Sequence, residues 1–208
     1  MRSVFEFIWL LCVIKEGNLV MRILMLGNSF TFYSDMPKML QEILGAEVRH
    51  HTRGGADLAA QLDPEDELGI ATANALRNET WDYVVLQEKS DGPILARTDF
   101  FQNIKALCKQ IRANGAVPVL YATWPFQKES LRLRELGISY EEMYDKLHKA
   151  YEQAAEENDA LMADVGTQIY QLSEKQALYD VDGFHPNQTA SEIAAKIIAQ
   201  TIKQHEQI

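Results

Sequence analysis

Short, uninterrupted apolar runs separated by helical patterns constrain this chain more than any other feature. Ile23-Leu24-Met25-Leu26 and Tyr83-Val84-Val85-Leu86 are continuous rather than alternating, as strands covered on both faces require. Strands are expected at 22–26, 47–52, 83–87, 117–122 and 161–165. Helices are expected between them. One covers 36–44, with Ser34 or Asp35 as cap and Pro37 in its first turn. A second carries the stripe Phe100, Ile104, Leu107, Cys108 and Ile111 and ends near Asn114-Gly115. A third covers 140–157. The last buries Ala190, Ile193, Ala194, Ile197 and Ile198 and is capped by Asn187 or Thr189. Strands alternating with helices imply right-handed crossovers and a parallel sheet of about five strands between two helical layers, an α/β fold of three layers, α/β/α.

A chain of 208 residues is long enough for one domain with a sizeable core, expected over 21–208. Its formal net charge of −10 sets it against nucleic acid and against stable association with an anionic membrane. Cys12 and Cys108 form no disulfide framework, which fits a reduced, cytoplasmic protein. Residues 1–20 stand apart. Their apolar stretch is interrupted by Glu6, is too short to span a bilayer and lacks a small-x-small cleavage site. Met21 is the expected physiological start and 1–20 an upstream extension, with a weak membrane anchor or export segment as the alternative.

In a parallel sheet, ligands bind beyond the carboxyl ends of the strands. Ser29 follows the first predicted strand, Gly54-Gly55 the second, Gln87 the third and Trp124 the fourth, so these scattered residues gather along one edge. Asp182-Gly183-Phe184-His185 precedes the last helix. A serine hydroxyl needs a base to remove its proton, and the base needs a third group to orient it. Ser29 would be the nucleophile, His185 the base and Asp182 the orienter. Asp180 is close enough to compete with Asp182. Backbone N–H groups at Ser29 and Gly55, with the Gln87 amide, would stabilise an oxyanion. Asn28, Gly54 and Trp124 are the expected substrate contacts. His50, His51 and His148 have no ligand-like spacing to acidic or cysteine partners, so no metal is expected.

Gly27-Asn28-Ser29-Phe30-Thr31, Gly54-Gly55, Val84-Val85-Leu86-Gln87-Glu88 and Asp182-x-x-His185 come in an order that resembles the SGNH (GDSL-type) hydrolase superfamily over essentially all of 22–205. The resemblance implies a flavodoxin-like fold and ester hydrolysis without metal or cofactor. It makes Ser29, Asp182 and His185 the triad and the Ser29 and Gly55 N–H groups oxyanion donors. Asn28 stands where the family usually has Asp, and Leu86-Gln87-Glu88 where it usually has Gly-x-Asn-Asp. The expected reaction is hydrolysis of a small acyl ester, an O-acetyl group on a carbohydrate being the expected case. The alternatives are non-catalytic modules of the same fold that bind a glycan, or a flavin or phosphate.

Overall fold

The computed structural model describes residues 20–207. The expected extension at 1–20 therefore lies, Val20 aside, outside the described residues, as does Cys12. Five strands, β1 (Arg22–Gly27), β2 (Glu47–Thr52), β3 (Tyr83–Leu86), β4 (Val117–Tyr121) and β5 (Leu161–Ala163), pair in parallel in the order β2-β1-β3-β4-β5. This is the flavodoxin-like order, in which the chain runs outward one way from β1 and then the other.

Side chains of successive strand residues point to opposite faces, and the core divides on that period. Ile23, Met25, Tyr83, Val85, Val119, Tyr121 and Ala163 face one layer. There they meet α2 (Met36–Leu44), α8 (Val165–Leu172) and α9 (Gln188–His205). Leu24, Leu26, Val84, Leu86 and Leu120 face the other layer, where α3 (Glu67–Asn78), α5 (Arg97–Asn114) and α7 (Tyr140–Glu157) pack. All five of these residues are fully buried. Burying each such side chain is worth about 1.5–3 kcal/mol, which explains why runs without polar alternation were needed. β2 lies at an edge and is half-exposed along its length, with Arg49 and His50 turned outward; charged groups on an edge oppose pairing with another chain.

Most expected elements form at their expected bounds. α5 ends at Gly115, whose φ of 94° is the left-handed cap that glycine supplies. Asn187, not Thr189, caps α9 by accepting from Ala190 N. Two details differ. The fifth strand stops at Ala163 rather than 165, because the Asp164 side chain accepts from Thr167 N and starts α8. Neither Ser34 nor Asp35 caps α2 through its side chain, since both adopt positive φ, 53° and 58°, in a tight 3-10 turn over Tyr33–Asp35. Five helices add to the expected set: α1 (Ser29–Phe32), α3, α4 (Gly92–Leu95), α6 (Leu131–Leu136) and α8. No helix among the described residues is long and apolar enough to cross a membrane.

The start of α8 is pressed against the end of β4: Gly166 N–H donates to Ala122 C=O at 3.0 Å. A Cβ at Gly166 would lie 2.3 Å from the Thr123 carbonyl oxygen. Backbone cannot yield there as a side chain could. Gly166→Ala is expected to destabilise the fold by about 1–3 kcal/mol, read as a fall in Tm of roughly 2–4 °C per kcal/mol for a chain of this size. An unchanged Tm would contradict the close approach.

Candidate active site

Ser29 opens α1 directly beyond β1. Asn28, with extended backbone, caps that helix by accepting from Phe30 N at 3.1 Å. Its amide nitrogen donates to Ala56 C=O at 2.8 Å, which ties the Ser29 turn to the 53–58 loop. Asn28 is thus both a wall of the cleft and a brace between two strand ends. In the loop it holds, Gly55 has a φ of 72°, a conformation that disfavours any side chain, and a Cβ on Gly54 or Gly55 would meet nothing within 4 Å. Both glycines face the open cleft. Among the described residues, neither Ser29 N–H nor Gly55 N–H is engaged in another hydrogen bond.

The tail of the chain reaches Ser29 from the other side. A turn in which Gly183 N–H donates to Asp180 C=O, and Asp180 N–H to His185 C=O, presents the imidazole. His185 Nε2 lies 2.7 Å from Ser29 Oγ, and His185 Nδ1 lies 2.6 Å from Asp182 Oδ2. Asp182 Oδ1 accepts from the backbone N–H groups of Phe184 and His185 at 3.1 and 3.0 Å. Burial pushes the Asp182 carboxyl up, but the imidazole and those two N–H groups outweigh it, and the net shift is downward. Asp180 does not compete for the ring; its carboxylate accepts from Val181 N. The imidazole itself is clamped between rings: Tyr33 stacks on it at 4.2 Å and 3°, and Phe184 packs at 3.9 Å.

Two expected residues fall elsewhere. Gln87 is fully buried beneath the cleft rather than in it. Its Oε1 accepts from Asn28 N–H at 2.9 Å and from the Thr31 hydroxyl at 3.0 Å, and its Nε2 donates to Glu88 C=O at 2.6 Å. The amide oxygen and one of its N–H groups are thus engaged in shaping the Ser29 turn, and the residue does not line the cleft. Trp124, an expected substrate contact, is likewise buried and does not line the cleft. It stacks face to face on Phe30 at 4.6 Å and 4°, while its indole N–H donates to Phe184 C=O at 3.3 Å. One ring therefore supports both α1, which begins at Ser29, and the loop that carries His185.

The cleft has a volume of about 470 Å³. Sequence reading missed several of its walls: Phe32, Tyr33, Lys89, Ser90, Asp91, Arg132 and Phe184. Tyr33 had a signal, since it stands one helical turn after Ser29. Phe184 sits inside the Asp-x-x-His block itself. A second cavity of about 450 Å³, under Ser173–Tyr179, holds neither Ser29 nor His185. His50 and His51 pair with Thr52 and Thr72, and no group of three or more His, Cys, Asp or Glu among the described residues is arranged to hold a metal ion.

The chain is similar to known proteins over most of its length. The family described as GDSL-like Lipase/Acylhydrolase matches residues 71–198. A candidate SGNH hydrolase from Slackia heliotrinireducens is 44% identical, with a TM-score of 0.84, covering 88% of this chain and 99% of that one. Axe2, an acetylxylan esterase from Geobacillus stearothermophilus, shares the fold at 16% identity and a TM-score of 0.64, covering 88% and 94%. A GDSL-like lipase candidate from Parabacteroides merdae does so at 15% and 0.65, covering 88% and 95%. No curated protein matches the sequence.

Beside the cleft, Glu88 is a buried carboxyl that accepts from Lys89 N at 2.6 Å and Leu58 N at 3.3 Å. Burial lifts it from an ordinary 4.5 to about 7, against the pull of those two N–H groups. The native state therefore holds this proton where the unfolded chain has lost it. The associated stability is complete below about pH 4.5 and is lost as pH rises through about 7. Glu88→Gln is expected to shrink the fall in Tm between about pH 5 and pH 8 relative to the parent protein. Identical slopes in the two proteins would show that Glu88 does not titrate in that window.

Proposed function

Because the chain belongs to the GDSL-like lipase/acylhydrolase (SGNH hydrolase) family and is an ester-hydrolysing enzyme, we propose that it works through an acyl-enzyme formed on Ser29, with His185 and Asp182 completing the triad. The observation that carries this reading is the unbroken chain Ser29 Oγ, His185 Nε2, His185 Nδ1, Asp182 Oδ2, at 2.7 and 2.6 Å, opening on a cleft.

The steps follow from those positions. His185 Nε2 takes the hydroxyl proton as Ser29 Oγ bonds to the ester carbonyl carbon. Asp182 fixes the tautomer that leaves Nε2 free to accept and stabilises the imidazolium that results. The oxyanion turns toward the uncommitted N–H groups of Ser29 and Gly55. His185 then returns the proton to the leaving oxygen, the carbon–oxygen bond of the alcohol breaks, and an acyl group stays on Ser29. Water, deprotonated by the same imidazole, releases the acid and restores the hydroxyl.

A cleft of about 470 Å³ walled by Phe30, Phe32, Tyr33 and Phe184 fits a small ester, acyl and alcohol portions together. Axe2, of the same fold, is an acetylxylan esterase, so acetylated saccharides join simple acetates as the first substrates to assay. A cytoplasmic location and a single domain over 21–208 belong to the same proposal and rest on the sequence.

Turnover of p-nitrophenyl acetate and labelling by a fluorophosphonate test the nucleophile together. Ser29→Ala is expected to abolish labelling and to lower kcat by at least on the order of a thousandfold. Asp182→Asn, close in shape but unable to hold the imidazolium, is expected to keep Ser29 in place and lower kcat by about three to four orders of magnitude. Equal turnover by the parent protein and Ser29→Ala would remove the assignment.

A further inference from the structure

Arg132, on α6, borders the cleft. Its guanidinium carbon lies 3.7 Å from the centre of the Phe184 ring, and that ring packs 3.9 Å from the His185 imidazole. The cation is thus one ring removed from the proposed base. Stacking on an aromatic face fixes the plane of a guanidinium and leaves its N–H edge free.

That edge has no protein partner. Among the described residues no carboxylate lies within ion-pair distance of Arg132, and none of its five N–H donors makes a hydrogen bond. The other cation of the cleft, Lys89, is paired with Asp91 at 3.3 Å. The chain carries 30 acidic and 20 basic residues, and several of its arginines are held by carboxylates. An unpaired guanidinium facing the cleft of so acidic a protein is a preformed site for an anion.

Where the anion sits on the substrate follows from the mechanism proposed above, on which this inference rests. His185 must hand its proton to the leaving oxygen, so the alcohol portion departs beside the imidazole. The Arg132–Phe184 pair stands beside that same ring. The charge also follows. One guanidinium with its partner-free edge matches a single planar carboxylate, whereas a dianion would meet the Asp91 carboxylate in the same cleft with Lys89 already neutralised. We propose that Arg132 is a specificity residue that selects esters whose alcohol portion carries a carboxylate.

The probes are para-acetoxybenzoate and its uncharged methyl ester, which put the same acetyl group on Ser29 and differ in charge on the alcohol side. In kcat/KM, Arg132→Ala is expected to lose about tenfold more on the carboxylate than on the methyl ester, chiefly through KM. Arg132→Lys should recover part of that difference, and Arg132→Glu should widen it. The preference of the parent protein should fade between roughly 0.01 M and 1 M salt, as an exposed cation requires. Fluorophosphonate labelling of Ser29 in each variant confirms an intact site. Equal losses on both esters would mean that Arg132 only braces Phe184, and would overturn the proposal while leaving the esterase reading standing. A parent protein that hydrolyses neither ester and leaves Ser29 unlabelled would overturn both.

Discussion

The side-chain amide of Gln87 lies under the turn that carries Ser29, and the geometry of the cleft is built on it. Its oxygen accepts from the Asn28 N–H and the Thr31 hydroxyl, and its nitrogen donates to the Glu88 carbonyl. Each such bond is worth only about 0.5–1.5 kcal/mol net, but a buried donor left without it costs about 1–3 kcal/mol. The turn is therefore held less by attraction than by the penalty for any other arrangement. Gly27 belongs to the same unit, since a Cβ there would stand 2.7 Å from Gln87 Oε1 and from Thr31 Oγ1. The Gly-Asn-Ser-Phe-Thr block and the distant Leu-Gln-Glu block are two halves of one packed object. From it, Asn28 reaches on to Ala56 and Glu88 to Leu58, so the ends of β1, β2 and β3 are fixed relative to one another.

The histidine loop is held by different means. No strand of the sheet carries it, and its one ladder contact is an isolated bridge between Tyr179 and Pro186. Aromatic packing replaces the missing ladder. Trp124 stacks on Phe30 from the nucleophile helix and donates to Phe184 C=O, while Tyr33 covers the imidazole. Stacked pairs of this kind add about 0.5–1.5 kcal/mol each beyond the area they bury. Part of that gain offsets strain, because Ser34 and Asp35 both take positive φ in the turn that places Tyr33. Ordering two short segments from opposite ends of the chain thus depends on rings supplied by a third, the end of β4.

How far the sequence could be read follows from the same distinction. Strands were legible because burial on both faces writes itself as an uninterrupted apolar run, and α5, α7 and α9 because one stripe repeats at helical spacing. α3 was not, because its buried face includes Gly69 and Thr72, which do not mark a core position by composition. Asp182 and His185 were legible because three residues in a turn bring a carboxylate to the ring, and Ser29 because it follows a buried strand in the motif order of a known family; the structure brings the three together. That Gln87 lies beneath the cleft was not legible, for a physical reason. A sequence tells what an amide can donate, not on which side of the sheet it falls, and its partners, Asn28 N–H and Thr31, are more than fifty residues away. Trp124 was placed correctly at the sheet edge and on the wrong side of it. Arg132 carried no signal at all, because its place depends on packing against Phe184 from a six-residue helix.

The position of Ser29 then follows from topology rather than from chemistry. β1 is flanked by β2 on one side and β3 on the other, and the crossovers on either side of it leave toward opposite layers. Chains that separate in this way open a crevice at the carboxyl end of the strand between them. Ser29 is the second residue past β1, so it can stand nowhere else. Gly54-Gly55 line one wall of the crevice, and the Tyr33, Phe184 and Arg132 side chains line another. The first wall presents backbone, the groups that the proposed mechanism assigns to the oxyanion common to every ester. The second presents side chains, one of them an unpaired cation.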